Sequence, residues 1–284
     1  MKNKSIIVSL VINLVISILK FISGFIFNVS SLFADGIYTL IDFLTNLFSI
    51  ISDNIAKKRK TKKHPLGYGM IQYILRFVIG FITFLVGIYI FVRSFHVIDS
   101  IPSINVIYII ALSFILKFIS IFYLRKEGLK ENNKNLLFQA NSAKTDLYST
   151  LMVFFIILVL QFGNLNENIK YIDNIGSFII SFMIFKTAFI IIKDSFYYLV
   201  GSNDIDDIKY NKVYKIINNY KNIELKNVEF ISYGPYYLVD IDLYMDPNTT
   251  LRKVTKIEKE IIRKLKVLNL NIKLVNINTE AKES

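Results

Sequence analysis

Leu32-Phe-Ala-Asp-Gly-Ile-Tyr-Thr-Leu-Ile-Asp42 sets two carboxylates into a run that is otherwise apolar from Leu32 to Ile51. At about 100° per residue, Asp35, Tyr38, Asp42 and Asn46 fall within roughly 80° of one another, a polar stripe on an apolar rod. A second apolar segment repeats the pattern, with Gln139, Ser142, Asp146 and Ser149 at i, i+3, i+7 and i+10. Two such helices can face each other with carboxylates between them. An Asp near the centre of a span costs roughly 2.5–3.5 kcal/mol to insert, so Asp42 and Asp146 need partners or water. A structural hydrogen bond would meet that need; the recurrence of acids with polar neighbours on matched faces favours an ion path.

The totals place the chain in a bilayer. Of its 284 residues 53% are hydrophobic, and the mean hydropathy is +0.45, too apolar for a water-soluble protein. The apolar residues crowd into the first two hundred positions, which predicts a membrane domain over residues 1–202 and a small polar domain over 203–284. There is no cysteine, so disulfides and thiolate ligands are excluded. A net charge of +12 is compatible with nucleic acid, but much of the excess sits in short loops beside apolar spans, which points away from such a partner and toward membrane lipid. The abundance of Lys, Asn and Ile suggests a bacterial, AT-rich source.

Six spans are expected: Ile6 to Phe27, Leu32 to Ile51, Ile71 to Phe91, Val106 to Tyr123, Leu136 to Leu160, and Ile175 to Val200. The first lacks a small-residue cleavage site and a second span follows at once, so it reads as retained. Between spans two and three lie Lys57, Lys58, Arg59, Lys60, Lys62 and Lys63, a cluster that normally stays in the cytoplasm. Six spans put both termini on that side, together with the basic loop Arg125 to Lys134. The opposite loops carry only Lys170 among Lys and Arg. This predicts a multi-pass protein of the bacterial cytoplasmic membrane with cytoplasmic termini. Lys186, Lys144 and Arg76 read as helix-end or structural charges, with Lys144 an awkward partner for Asp146 two residues away.

Three motifs in order carry a family resemblance: Ser30-Ser-Leu-Phe-Ala-Asp-Gly-Ile-Tyr-Thr-Leu-Ile-Asp42, His64-Pro-Leu-Gly-Tyr-Gly69 and Lys144-Thr-Asp146, supported by Asp173 at the start of span six and by the tail. The chain resembles the cation diffusion facilitators over nearly its whole length. The resemblance implies a dimer, here a homodimer, that exposes a tetrahedral site alternately to each side and exchanges a divalent cation for protons. By position it implies metal ligands at Tyr38 and Asp42 of span two and Ser142 and Asp146 of span five; the chemistry of the stripe, apart from the resemblance, offers Asp35 and Asn46 as helpers. The family commonly has His, Asp or Asn at the first member of each pair, where this chain has Tyr38 and Ser142. In the loop before span three a family histidine, a basic residue and an acid correspond to Tyr68, Met70 and Gln72. His64 is retained, and reads equally as a ligand or as a turn residue beside Pro65; His96 is assigned no role.

Chemically the candidate site offers carboxylate, phenol, hydroxyl and amide oxygens. Such a set favours hard cations such as Mn2+, Mg2+ or Ca2+ over Zn2+. Proton exchange falls to Asp42 or Asp146. The metal is cargo, and no resident cofactor is expected.

After Asp204 the pattern predicts a helix from Ile205 to Tyr220, strands at Leu225–Tyr233 and Tyr236–Met245, a helix from Leu251 to Leu268, and a strand from Asn271 to Ile277. The order α-β-β-α-β is a small α+β sandwich, matching the ferredoxin-like tail that the resemblance implies. Relatives often bind metal there through histidines, but the corresponding places hold Asp242, Thr255 and Asn278. Asp240, Asp242 and Glu280 read as a solvated face rather than an ion site. Nucleophile–base constellations and phosphate loops are not found in the sequence, so an enzyme is not expected. The first functional reading is proton-coupled divalent cation efflux, manganese favoured over zinc. The alternative is a transport-inactive relative that acts as structural or regulatory partner of an active transporter.

Overall fold

A computed structural model describes residues 4–95, 102–130, 134–162, 171–221, 223–268 and 270–282. Six long helices come first: α1 (Lys4–Ile26), α2 (Ser30–Ala56), α3 (Ile71–Arg93), α4 (Asn105–Lys130), α5 (Lys134–Phe162) and α6 (Tyr171–Leu199). All six are long and apolar enough to cross a membrane, and only 28–39% of each apolar window is buried within the protein. Phe25, Phe122 and Phe189 are among the large side chains that stand outward. An apolar exterior of that extent belongs in lipid, and the chain is a multi-pass membrane protein.

The expected spans and the observed helices agree closely except at the ends of α2, which runs on from Ile51 to Ala56, and of α4. Arg125 to Lys130, read from sequence as the start of a basic loop, continues the helix. Arg, Lys, Glu and Leu are strong helix formers, so the helix outlasts the apolar run that a hydropathy reading follows. His96 and Lys170 lie outside the described residues, as does the side chain of Ser142.

The chain forms two compact units, Met1–Ser49 with Val78–Ile192, and Ile50–Phe77 with Lys193–Ser284. The core of the first is built from Leu32, Phe33, Ile37 and Ile41 of α2 against Ile90, Ile110, Val153, Ile157 and Ile180. Close approach of α1 to α2 depends on Gly36, where a Cβ would come within 2.5 Å of the Phe21 nitrogen and 3.0 Å of the Lys20 carbonyl carbon. The free amides at the start of α2 are satisfied from α6. Asp173 accepts from the backbone nitrogens of Ser30 at 2.7 Å and Ser31 at 2.9 Å, and from the Ser31 hydroxyl. A carboxylate there suits both the orphan donors and the positive end of the helix dipole.

The second unit holds α7 (Asp207–Ile217), β1 (Ile223–Tyr233), β2 (Tyr236–Met245), α8 (Leu251–Val267) and β3 (Ile272–Ala281). This is the expected α-β-β-α-β order, with β3 running four residues beyond the expected end. The three-stranded sheet has the order β1-β2-β3; β1 and β2 are antiparallel, β2 and β3 parallel. Val239, Ile241, Leu243 and Met245 bury one face of β2 against Val213 and Ile217 of α7 and Ile261 and Leu265 of α8. Asp240 and Asp242 point the other way, as period-two alternation requires.

Two features tie this unit together. The glycine motif before α3 seats the β1–β2 turn: the Tyr233 hydroxyl donates to the Gly67 carbonyl at 3.0 Å and the Tyr73 hydroxyl to the Gly234 carbonyl at 3.3 Å. Gly69 and Gly234 lie so close that a Cβ on Gly234 would come within 2.5 Å of the Gly69 carbonyl oxygen, and Gly234 has φ +64° besides. At the start of the tail, Asp204 Oδ2 accepts from Tyr237 at 2.7 Å, Lys209 at 3.1 Å and Ser232 at 3.4 Å. Burial works to raise the Asp204 pKa, but the Tyr237 and Lys209 hydrogen bonds outweigh it and hold the carboxyl below its usual range.

A carboxyl depressed on folding stabilises above its unfolded pKa of about 3.9 and loses that stabilisation as pH falls through the folded value. Thermal melts of the full protein in detergent should therefore show the tail transition falling on acidification below about pH 4. In Asp204→Asn this acid limb flattens, and the transition at pH 7 is lower than in wild type.

Candidate functional site

The polar stripe of α2 lies inside the first unit and divides into two contacts. Asp35 is fully buried; its carboxylate meets Lys20 Nζ of α1 at 2.7 Å and accepts from Ser149 Oγ of α5 at 2.6 Å. Lys20 also donates to Thr150 at 2.6 Å and to Thr39 at 3.4 Å. Two turns further along α2, Asp42 comes close enough to Asp146 of α5 for the two carboxyls to interact electrostatically. Tyr38, between Asp35 and Asp42 in sequence, is buried.

Asp146 is thus the centre of the second contact. Its Oδ2 pairs with Lys117 Nζ of α4 at 2.5 Å, and Lys117 donates as well to Asn13 Oδ1 of α1 at 3.0 Å. Its Oδ1 is buried with no donor among the described residues. Two carboxylates this close repel, and a cation between them removes the repulsion. The pair therefore has the form of a cation seat: one buried oxygen without a donor, a second carboxyl opposite, and a phenol one turn away on the same helix.

Asp42 and Asp146, singled out from sequence, come together. Tyr38 lies on the same side of α2, whereas Asp35 is held by Lys20 and Ser149. Asn46 and Gln139 are half-buried. The partner of Asp146 is Lys117 rather than Lys144, which is half-buried on its own helix. A lysine two residues along the same helix points about 200° away, while α4 packs directly along α5.

Sequence reasoning missed Lys20 and Lys117. A signal was present: Ser9, Asn13, Ser17, Lys20 and Ser23 recur every three or four residues along α1, as do Ser113, Lys117 and Ser120 along α4, and all are buried. These are polar stripes of the same period as those on α2 and α5, centred on cations instead of anions.

The other candidate positions have local partners. His64 is exposed, closes a backbone turn with Thr61 and sets its ring 4.7 Å from that of Tyr68. In the tail, Asn278 donates to Asp242 at 2.9 Å, Thr255 to the Leu251 carbonyl at 3.0 Å, and Lys226 to Glu280 at 2.6 Å. Among the described residues no group of three or more His, Cys, Asp and Glu side chains is placed to hold a metal.

Comparison with known proteins agrees with this architecture. Residues 6–200 match the family described as the cation efflux transmembrane domain. The chain is 26% identical over 272 residues to the manganese efflux system protein MneP of Bacillus subtilis, covering 91% of this chain and 89% of that one. It is also 26% identical to MneS, a second manganese efflux system protein of the same organism, over 91% of this chain and 89% of the relative. With mitochondrial metal transporter 1 of Saccharomyces cerevisiae it shares 26% identity over 80% of its length and 52% of the yeast protein. Six apolar helices, a carboxylate pair between α2 and α5, and a family match over residues 6–200 lead to one conclusion: the chain belongs to the cation efflux family, the cation diffusion facilitators.

Proposed function

We propose that this protein exports a divalent cation, Mn2+ in preference to Zn2+, from the cytoplasm across the cytoplasmic membrane by alternating access in exchange for protons. In this reading it works as a homodimer with both termini in the cytoplasm, and Asp42 and Asp146, aided by Tyr38 and Ser142, bind the cargo. The observation that carries it is the facing pair Asp42–Asp146, with a buried Asp146 oxygen that no donor meets among the described residues. Among the described residues the first unit contains no imidazole or thiolate, and oxygen-only donors suit Mn2+ better than Zn2+. The manganese efflux function printed for MneP and MneS supports the same choice of cargo.

A second reading, a transport-inactive partner of an active relative, is favoured by one contact: Lys117 already neutralises Asp146. Flux separates the two. Proteoliposomes loaded with a metal-sensitive dye should take up Mn2+ under a pH gradient, take up Zn2+ more slowly, and lose uptake when the gradient is collapsed. Wild-type vesicles that move neither metal, together with co-purification of an intact relative from native membranes, would establish the partner reading instead.

A further inference from the structure

Lys117 is more than a counter-ion that happens to be buried. It projects from α4 into the seam between α1 and α5, where it touches two acceptors of different kinds: the charged Asp146 Oδ2 at 2.5 Å and the neutral Asn13 Oδ1 at 3.0 Å. It is 1% exposed. The seam around it is polar, with Ser113 and Ser120 on its own helix buried and Ser9 of α1 within 3.5 Å of Ser120. An ammonium that leaves Asp146 thus has an acceptor already in contact and hydroxyls along the same seam, without entering hydrocarbon.

We propose that Lys117 is a tethered cation that competes with the cargo for Asp146, so that cargo binding displaces its ammonium toward Asn13. This rests on the reading of Asp42 and Asp146 as the cargo seat. In the exchange reading one of those carboxyls holds a proton when cargo is absent, so that the other carboxylate and Lys117 balance and the empty seat is neutral. A divalent ion taken in exchange for that proton with Lys117 still in place would overshoot by one, and it would press a second cation against the ammonium in a site where screening is poor. Displacement relieves both. The same competition gives the carrier a way back: without cargo, Asp146 is neutralised by a group that never leaves the protein, which suits passage of the empty seat between its two exposures. Lys117 thereby weakens binding and favours turnover, making it a determinant of affinity and charge selectivity.

The test is Mn2+ binding to the full chain in nanodiscs, by calorimetry, with net efflux and Mn2+/Mn2+ exchange measured in proteoliposomes. Lys117→Gln and Lys117→Met should bind Mn2+ at least tenfold more tightly than wild type, equivalent to about 1.4 kcal/mol. They should keep Mn2+/Mn2+ exchange while net efflux falls tenfold or more, a split that a merely structural lysine would not produce. Lys117→Arg keeps the charge and should bind no more tightly than wild type. Asn13→Ala leaves Lys117 in place but removes its second acceptor, so Mn2+ affinity should drop several-fold; this arm decides the matter if the Lys117 variants do not fold. Unchanged or weaker binding in the Lys117 variants, or unchanged binding in Asn13→Ala, overturns the competitor role, and the cargo seat still stands if Asp42→Ala abolishes wild-type binding. Binding that appears only when Lys117 is removed supports the competitor and rejects Mn2+ efflux by the wild type. Absence of Mn2+ binding in every protein rejects both.

Discussion

Asp42→Ala should abolish Mn2+ uptake into proteoliposomes, with the rate falling at least a hundredfold, about 2.8 kcal/mol, while the protein stays folded in detergent with a melting temperature near that of wild type. The expectation follows from an asymmetry in the carboxylate pair. Asp42 is partly exposed; the charged groups near it are Asp146 and Lys117, and Lys117 keeps Asp146 as its counter-ion, so removing Asp42 leaves no cation stranded. Asp146 differs. It is 1% exposed and is the carboxylate that answers Lys117, so Asp146→Ala should abolish transport and also destabilise the protein by about 3–5 kcal/mol, the range for breaking a buried pair. Asp146→Ala with Lys117→Met should recover much of that stability and none of the transport. Flux through Asp42→Ala within a factor of ten of wild type would remove Asp42 from the cargo path. If instead both single variants lose transport and melt together at the same lowered temperature, the carboxylates serve the fold alone.

How far these features were legible in the sequence depended on whether they repeat with a period. The six spans follow from long apolar runs, and β2 from strict alternation of Val239, Ile241, Leu243 and Met245 with Asp240, Asp242 and Tyr244 between. Asp42 and Asp146 were legible because a carboxylate inside an apolar run is costly and two of them recur with polar neighbours at helical spacing. The partners were harder. Period shows that Lys117 shares a face with Ser113 and Ser120, but not that this face meets α1 and α5, because which helices adjoin is decided by packing. Asp35 shows the same limit from the other side. It shares its stripe with Asp42, yet Gly36 lets α1 come close enough for Lys20 to take it. Asp173 read only as the acid opening span six; that it caps α2 depends on a contact 143 residues away in sequence. The loop motif His64 to Gly69 read equally as ligand chemistry or as a turn, and its glycines provide the close approach that seats the β1–β2 turn.

Lys20→Met should destabilise the protein by about 3–5 kcal/mol, because it leaves Asp35 charged, buried and without its counter-ion. Both side chains of the pair are fully buried, 2.7 Å apart. Ser149 still donates to Asp35 Oδ1, but one neutral hydroxyl does not replace an ammonium. The fourth wing of the cycle decides whether the pair itself stabilises. Lys20→Met with Asp35→Leu removes both charges, and the desolvation cost disappears with the attraction, so the double variant should melt at or above the wild-type temperature. Thr39 and Thr150, which lose the Lys20 ammonium as a donor, still donate their own hydroxyl protons to the backbone carbonyls of Asp35 and Asp146, so neither is orphaned. Transport by the double variant then separates packing from function. The pair lies beside the cargo seat, with Asp35 bonded to Ser149 one turn from Asp146, and the cation seat itself lacks neither of its carboxylates when Lys20 and Asp35 are replaced. Mn2+ flux in the stable double variant should stay within about threefold of wild type, under 1 kcal/mol. A double variant that is stable yet inactive would instead place Lys20 and Asp35 in the transport cycle and make the buried lysines of α1 and α4 two parts of one charge-compensating device.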